Sequence, residues 1–111
     1  MLSVNGIGNF TKDPVIKPVG ETNVVEFSIA CNQYRKVNEE VVSEVHYFDC
    51  VAWDSGAEAI AKKAKKGDRI YITGILLDER WVDKETGKTR SKKIVRVGKF
   101  ELIPKNGQTS E

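Results

Sequence analysis

The chain has 111 residues, 40% of them apolar and 31% charged, which allows one compact domain with a modest core and excludes the large α/β sheets behind most catalytic architectures. No apolar run approaches the roughly 18–20 residues of a membrane helix, and the opening residues lack the basic and hydrophobic regions of a signal peptide, so a single soluble domain without a membrane span is predicted. The net charge of +2 hides an asymmetry: residues 34–54 hold five Asp/Glu against two Lys/Arg, and residues 80–99 hold eight Lys/Arg against two Asp/Glu. Such a stripe attracts a polyanion locally even when the whole molecule is almost neutral.

In chain order, residues 2–10 read as a glycine-rich strand ending near Asp13 and Pro14. From Asn23 to Tyr34 the sequence alternates, with Val25, Phe27, Ile29 and Cys31 on one parity and Glu26, Ser28, Ala30, Asn32 and Tyr34 on the other, the pattern of a half-buried strand. Residues 35–44 read as a long polar loop. A third strand, Val45 to Trp53, puts Phe48, Cys50 and Ala52 on one face and Tyr47, Asp49, Val51 and Trp53 on the other. Residues 54–67 carry the only helical pattern: Asp54 or Ser55 as cap, an apolar stripe of Ala57, Ile60, Ala61 and Ala64, and Gly67 as stop. Asp68 to Leu77 reads as a strand bent or bulged at Gly74, residues 83–87 as a turn, and residues 91–103 as the last strand. The expected arrangement is all-β, a five-stranded Greek-key barrel of the OB type with one helix between strands 3 and 4, covering residues 1–104. Residues 105–111 have the composition of a short disordered tail.

Cys31, Cys50 and His46 are too few for a four-ligand structural zinc site, so no metal or other cofactor is expected, and compartment logic favours free thiols over a disulfide. Gly87-Lys88-Thr89 resembles the end of a phosphate loop, but the position of its first glycine holds Val82 and a strand follows instead of a helix. In a strand His46 and Cys50 stand about 13 Å apart, beyond the reach of a nucleophile and its base. Asp78 and Glu79 point to opposite faces and make a poor carboxylate pair. No catalytic site is predicted, and the chain is not expected to be an enzyme.

Tyr34, Tyr47, Trp53 and Trp81 lie beside polar or basic residues rather than on the apolar parity of their strands. A planar ring offers any nucleobase a stacking surface worth about 1–3 kcal/mol, and neighbouring Lys/Arg bind phosphates by counterion release. Gly8-Asn9-Phe10 with Asp13-Pro14, residues 25–30, Ala57-Glu58, Lys66-Gly67, residues 71–74, Trp81-Val82-Asp83, Gly87 and Arg90 together resemble the bacterial-type single-stranded DNA-binding proteins, from about Gly8 to Ile103. The resemblance implies non-specific binding and protection of single-stranded DNA in replication, recombination and repair, in the cytoplasm and associated with the nucleoid or, for a phage form, with the host cytoplasm. It places base-stacking aromatics on Tyr34, Tyr47, Trp53 and Trp81 and basic contacts on Lys65, Lys66, Arg80 and Arg90. Arg35, Lys84, Lys88 and Lys92 join them by neighbourhood. It also implies a homotetramer, with a symmetric dimer as the alternative, and an interface role for Tyr71. Two departures stand out: Asp49 lies on the face of Tyr47 and Trp53 where the family often has a basic residue, and residues 105–111 lack the acidic tip through which family members recruit replication enzymes. A primosome-type OB accessory protein, binding DNA and a helicase, is the rival reading; it usually lacks the full aromatic set.

Overall fold

The computed structural model describes residues 1–103, and the expected tail at 105–111 lies outside them. The elements are β1 (Ser3–Phe10), β2 (Val15–Val19), β3 (Thr22–Val37), β4 (Glu40–Trp53), α1 (Asp54–Lys63), β5 (Arg69–Val82) and β6 (Thr89–Ile103). Pairing runs β1–β5–β6–β4–β3, and β1 returns to β3 through Asn9↔Ala30 and Phe10↔Ile29, which closes a five-stranded ring. Every pairing is antiparallel except β4 with β6, a short parallel contact at Cys50↔Val95 and Val51↔Arg96. This is the OB barrel the sequence led us to expect. Counted along the chain, however, the helix follows the fourth strand, because β2 is an additional strand paired to the edge of β3. Among the five ring strands it still lies between the third and the fourth.

Parity decides the core. Val25, Phe27 and Ile29 of β3, Cys50 and Ala52 of β4, and Ile70 and Ile72 of β5 point inward and are buried with Phe10, Ala57, Ile60 and Ala64. Phe10 and Phe27 meet with ring centroids 5.0 Å apart, tilted by 38°. The helical stripe falls where the 3.6-residue period puts it, and α1 seals one end of the barrel with Ala57 and Ile60, both fully buried. Its boundaries differ from expectation: the helix ends at Lys63, and neither Asp54 nor Ser55 caps it with a side-chain hydrogen bond. Asp54 instead takes φ +57 and turns the chain out of β4.

Backbone geometry forces two glycines. The ladder of β5 and β6 slips between Thr73 and Gly74, and a Cβ on Gly74 would collide with the Arg96 carbonyl oxygen, so the predicted bulge is sited by a close backbone approach. Gly67, at φ +90, ends a clamp that ties the helix exit to β1. In it the Gly67 N–H donates to the Phe10 carbonyl at 2.8 Å, the Phe10 N–H to the Asp68 carbonyl at 2.8 Å, the Asn9 side-chain amide to the Gly67 carbonyl at 3.0 Å and the Lys66 N–H to Asp13 Oδ1 at 2.7 Å. The Asn9, Phe10, Asp13, Lys66 and Gly67 signature is therefore the joint between the barrel and its helix.

Two readings of the sequence are corrected. Residues 35–44 are no loop: β3 and β4 pair out to Val37↔Glu40 around a tight turn in which Asn38 and Glu39 take φ 49 and 67, the left-handed pair that a two-residue hairpin requires. Phe48 shares the face of the buried Cys50 and Ala52, yet it is 44% exposed, because at its level the barrel mouth opens into an apolar cavity of about 240 Å³ lined by Val4, Cys31, Phe48 and Leu76.

Candidate nucleic-acid interface

The outer parity of β4 carries Tyr47, Asp49, Val51 and Trp53, opposite Ala30, Ser28, Glu26 and Val24 of β3. Tyr34, opposite Ser43, continues the same face of the ribbon toward its tip. Period-two geometry lines the three rings along one surface. Tyr34 and Tyr47 are each 67% exposed, Trp53 42% and Trp81 43%. All four expected aromatics are thus exposed, the tyrosines for the most part and the tryptophans to a little under half, which leaves each a surface on which a base can stack.

Trp81 lies on the other long hairpin, formed by β5 and β6, opposite Arg90. The hairpin ends in a turn at Asp83, whose carboxylate accepts from the Glu85 N–H at 2.9 Å and from Arg90 Nε at 2.7 Å. The Glu85 N–H above all, with Arg90 beside it, holds the Asp83 carboxyl below its usual range. Three cross-strand pairs below Trp81↔Arg90, Asp78 is held low mainly by its hydrogen bond to Lys93, with Arg80 at 3.7 Å adding to it. The basic residues of this hairpin are consequently interleaved with carboxylates that order them.

The expected cations separate into three groups. Lys92 joins the aromatic face, with Nζ 3.6 Å from Asp49 Oδ2. Arg35 is on the β3–β4 ribbon, its Nε 2.6 Å from Glu44 Oε1, and Glu44 also lies 3.4 Å from His46 Nε2. Arg80 and Arg90 flank Trp81, and Lys84 and Lys88 occupy the exposed turn beyond it. Lys65 and Lys66 do not join these groups. They sit at the far end of α1, about 15 Å along the helix from Trp53, exposed, with their backbone in the clamp. Tyr71 is half-buried on the opposite side of the barrel, paired with Ile7 of β1, itself 52% exposed.

Sequence reasoning passed over Lys12 and Lys17. Both line an open cleft of about 300 Å³ together with Glu26, Ser28, Asp49 and Lys92, and no periodic signal in the sequence marks it, because Lys17 belongs to a strand that contains a proline and is exposed throughout. Cys31 is half-buried and Cys50 buried, both free thiols. Burial above all, with the charges of Cys31 and Asp49 adding, pushes the Cys50 thiol up to about 12, which makes it an inert member of the core. Among the described residues no group of three or more His, Cys, Asp and Glu side chains is placed to hold a metal.

Comparison with known proteins agrees with this geometry. Residues 1–103 match the family model described as the single-strand binding protein family. The chain is 36% identical over 86 residues to the single-stranded DNA-binding protein of Borreliella burgdorferi, covering 78% of this chain and 58% of that one. Against the protein of the same description from Aquifex aeolicus it is 41% identical over 100 residues, covering 87% of this chain and 66% of the other. The chain thus spans less than two thirds of these two relatives. In three dimensions it superposes on the small single-stranded DNA-binding protein from Streptomyces coelicolor with a TM-score of 0.75 at 17% identity, covering 96% of this chain and 97% of that one, a likeness of fold.

Proposed function

Because the chain belongs to the single-strand binding protein family, we propose that it binds single-stranded DNA without regard to sequence and so covers it during replication, recombination and repair in the cytoplasm. The observation that carries this reading is the set of four exposed rings, three of them on one face of the β3–β4 ribbon. Bases stack on Tyr34, Tyr47, Trp53 and Trp81, and stacking tolerates any sequence because every base has a π-face. Phosphates meet Lys92 along the face, Arg80 and Arg90 beside Trp81, Lys84 and Lys88 at the hairpin tip, and Arg35 once it leaves Glu44. Lys65 and Lys66 serve a strand that continues past the helix.

Assembly belongs to the same reading. The exposed Ile7 and its cross-strand neighbour Tyr71 form an apolar strip on the outer face of β1 and β5, away from the aromatic face. Pairing through this strip presents several aromatic faces to one strand, which raises affinity by effective concentration. A closed homotetramer, or a symmetric dimer, satisfies it.

The test compares affinity for single-stranded DNA, duplex DNA and single-stranded RNA over a series of salt concentrations. The expected result is preference for the DNA single strand, with affinity falling steeply as salt rises. Equal affinity for duplex, or a flat response to salt, refutes the reading.

A further inference from the structure

The cleft that holds Lys12 and Lys17 lies within the aromatic face. Ser28 and Glu26, which line it, stand opposite Asp49 and Val51, between the Ala30↔Tyr47 and Val24↔Trp53 pairs. At about 3.3 Å per residue the two rings are about 20 Å apart along β4. A DNA strand stacked on both therefore carries its phosphates over the cleft. What awaits them is not an open basic patch. Lys17 is held by Glu26 at 2.5 Å and Lys92 by Asp49 at 3.6 Å, while Lys12 has no ion pair among the described residues.

We infer that Asp49 is an internal competitor for phosphate: it occupies Lys92 in the free protein, and a phosphodiester entering the cleft past Lys12 takes Lys92 from it. This rests on the single-stranded DNA reading and adds to it a residue that sets the affinity. The exchange is easy, since both side chains of the pair are about half exposed and such pairs are held only weakly. It also has a consequence for affinity, because part of the phosphate's attraction to Lys92 goes into displacing Asp49 from it. The competing explanation is that Asp49 merely fastens β6 to β4, where the ladder has only two residue pairs. In that case its charge serves the fold and not the ligand.

Substitution of Asp49 by Asn, which keeps size and an acceptor oxygen but removes the charge, separates the two. Binding of the full chain to a thymidine oligonucleotide is measured across a salt series for the wild type, Asp49→Asn, Lys92→Gln and the double variant, each with its thermal melting. The expected result is about twofold to fivefold tighter binding by Asp49→Asn at low salt, as suits an exposed charge pair. The slope of log affinity against log salt should also steepen by about 0.7, the value of one further single-strand phosphate contact. Both gains should disappear in the double variant, which then matches Lys92→Gln. Asp49→Asn binding with wild-type strength and slope overturns the inference. So does a lowered melting temperature without a gain in affinity, or a gain that persists when Lys92 is also replaced. If the wild type itself shows no preference for single-stranded DNA, the functional reading fails first and the inference falls with it, a result distinct from the other three.

Discussion

Tyr47 and Phe27 belong to neighbouring, paired strands and face opposite ways, so truncating each in turn tests the division between ligand face and core. Phe27 is only 3% exposed and touches Phe10. Burying an aromatic side chain removes roughly 150–250 Å² from water, which at about 25 cal/mol per Å² amounts to about 4–6 kcal/mol for the whole residue. Alanine retains part of that and leaves a cavity, so Phe27→Ala should cost about 3–5 kcal/mol of stability. Tyr47 keeps 67% of its surface in solvent, and the same arithmetic on the buried third leaves Tyr47→Ala a loss of about 1–2 kcal/mol. In binding the order reverses. Loss of one stacking ring should weaken DNA affinity by about 1–3 kcal/mol, roughly fivefold to 150-fold, while the fraction of Phe27→Ala that stays folded should bind normally. Urea denaturation gives the first pair of numbers and fluorescence anisotropy with a labelled oligonucleotide the second. A Tyr47→Ala protein that unfolds, or a well-folded Phe27→Ala protein with weakened binding, would show that the two faces are assigned backwards.

Two further outcomes follow from the backbone and from the buried thiol. Gly74→Ala should destabilise the barrel by about 1–3 kcal/mol in urea, since its Cβ meets the Arg96 carbonyl, whereas Gly56→Ala, with Phe100 at 3.6 Å and a helical site, should be neutral or stabilising by up to about 1 kcal/mol; equal effects of the two refute the bulge argument. The Cys50 thiol, raised to about 12 from 9.0, holds its proton more tightly folded than unfolded, so its contribution is complete below pH 9 and is lost as pH rises toward 12. That is worth up to about 4 kcal/mol, and Cys50→Ala should lose less stability than the wild type over that range.

The core was legible wherever a strand has one wet face and one dry face. Val25, Phe27 and Ile29 alternate with polar residues because β3 is half buried there, and the pattern carries the burial. The same rule fails where both faces are wet. Residues 35–44 scatter Val37, Val41 and Val42 among polar residues on both sides of the ribbon, so no alternation marks them as strand, and only the left-handed pair Asn38 and Glu39 distinguishes a turn within them. β2 is exposed along its whole length and contains Pro18, which a sheet tolerates at an edge, so it too gives no periodic signal. Phe48 fails for the opposite reason. Its parity is right, but parity cannot say where the barrel ends, and the open mouth leaves it half in water. Among the expected contact residues, the aromatics stood out by being on the wrong parity for a core, and Asp49 stood out on their face; its pairing with Lys92 did not, because the two are joined over more than forty positions of sequence.

Four of the five ring strands, β3, β4, β5 and β6, have 16, 14, 14 and 15 residues, far more than the five or six of an ordinary strand, and the excess forms two hairpin arms that leave the barrel. An arm has no dry face, so what holds it is its ladder of hydrogen bonds and cross-strand pairs such as Arg35 with Glu44, Arg90 with Asp83 and Lys93 with Asp78. Each such pair contributes little in water and is screened by salt, while the barrel beneath rests on apolar burial that salt does not weaken. The surfaces proposed to meet DNA are therefore the weakest-held parts of the molecule. Bound phosphates compete for the same arginines and lysines that brace the arms, so ligand contact and arm order are coupled through one set of charges. The four rings escape this competition, because stacking draws on no ion pair, and the rings nearest the barrel, Tyr47 and Trp53, stand on strand segments whose other face is anchored by Cys50 and Ala52 in the core. A DNA strand that first settles on these two rings meets a rigid platform, and the arms can then adjust their pairs around it.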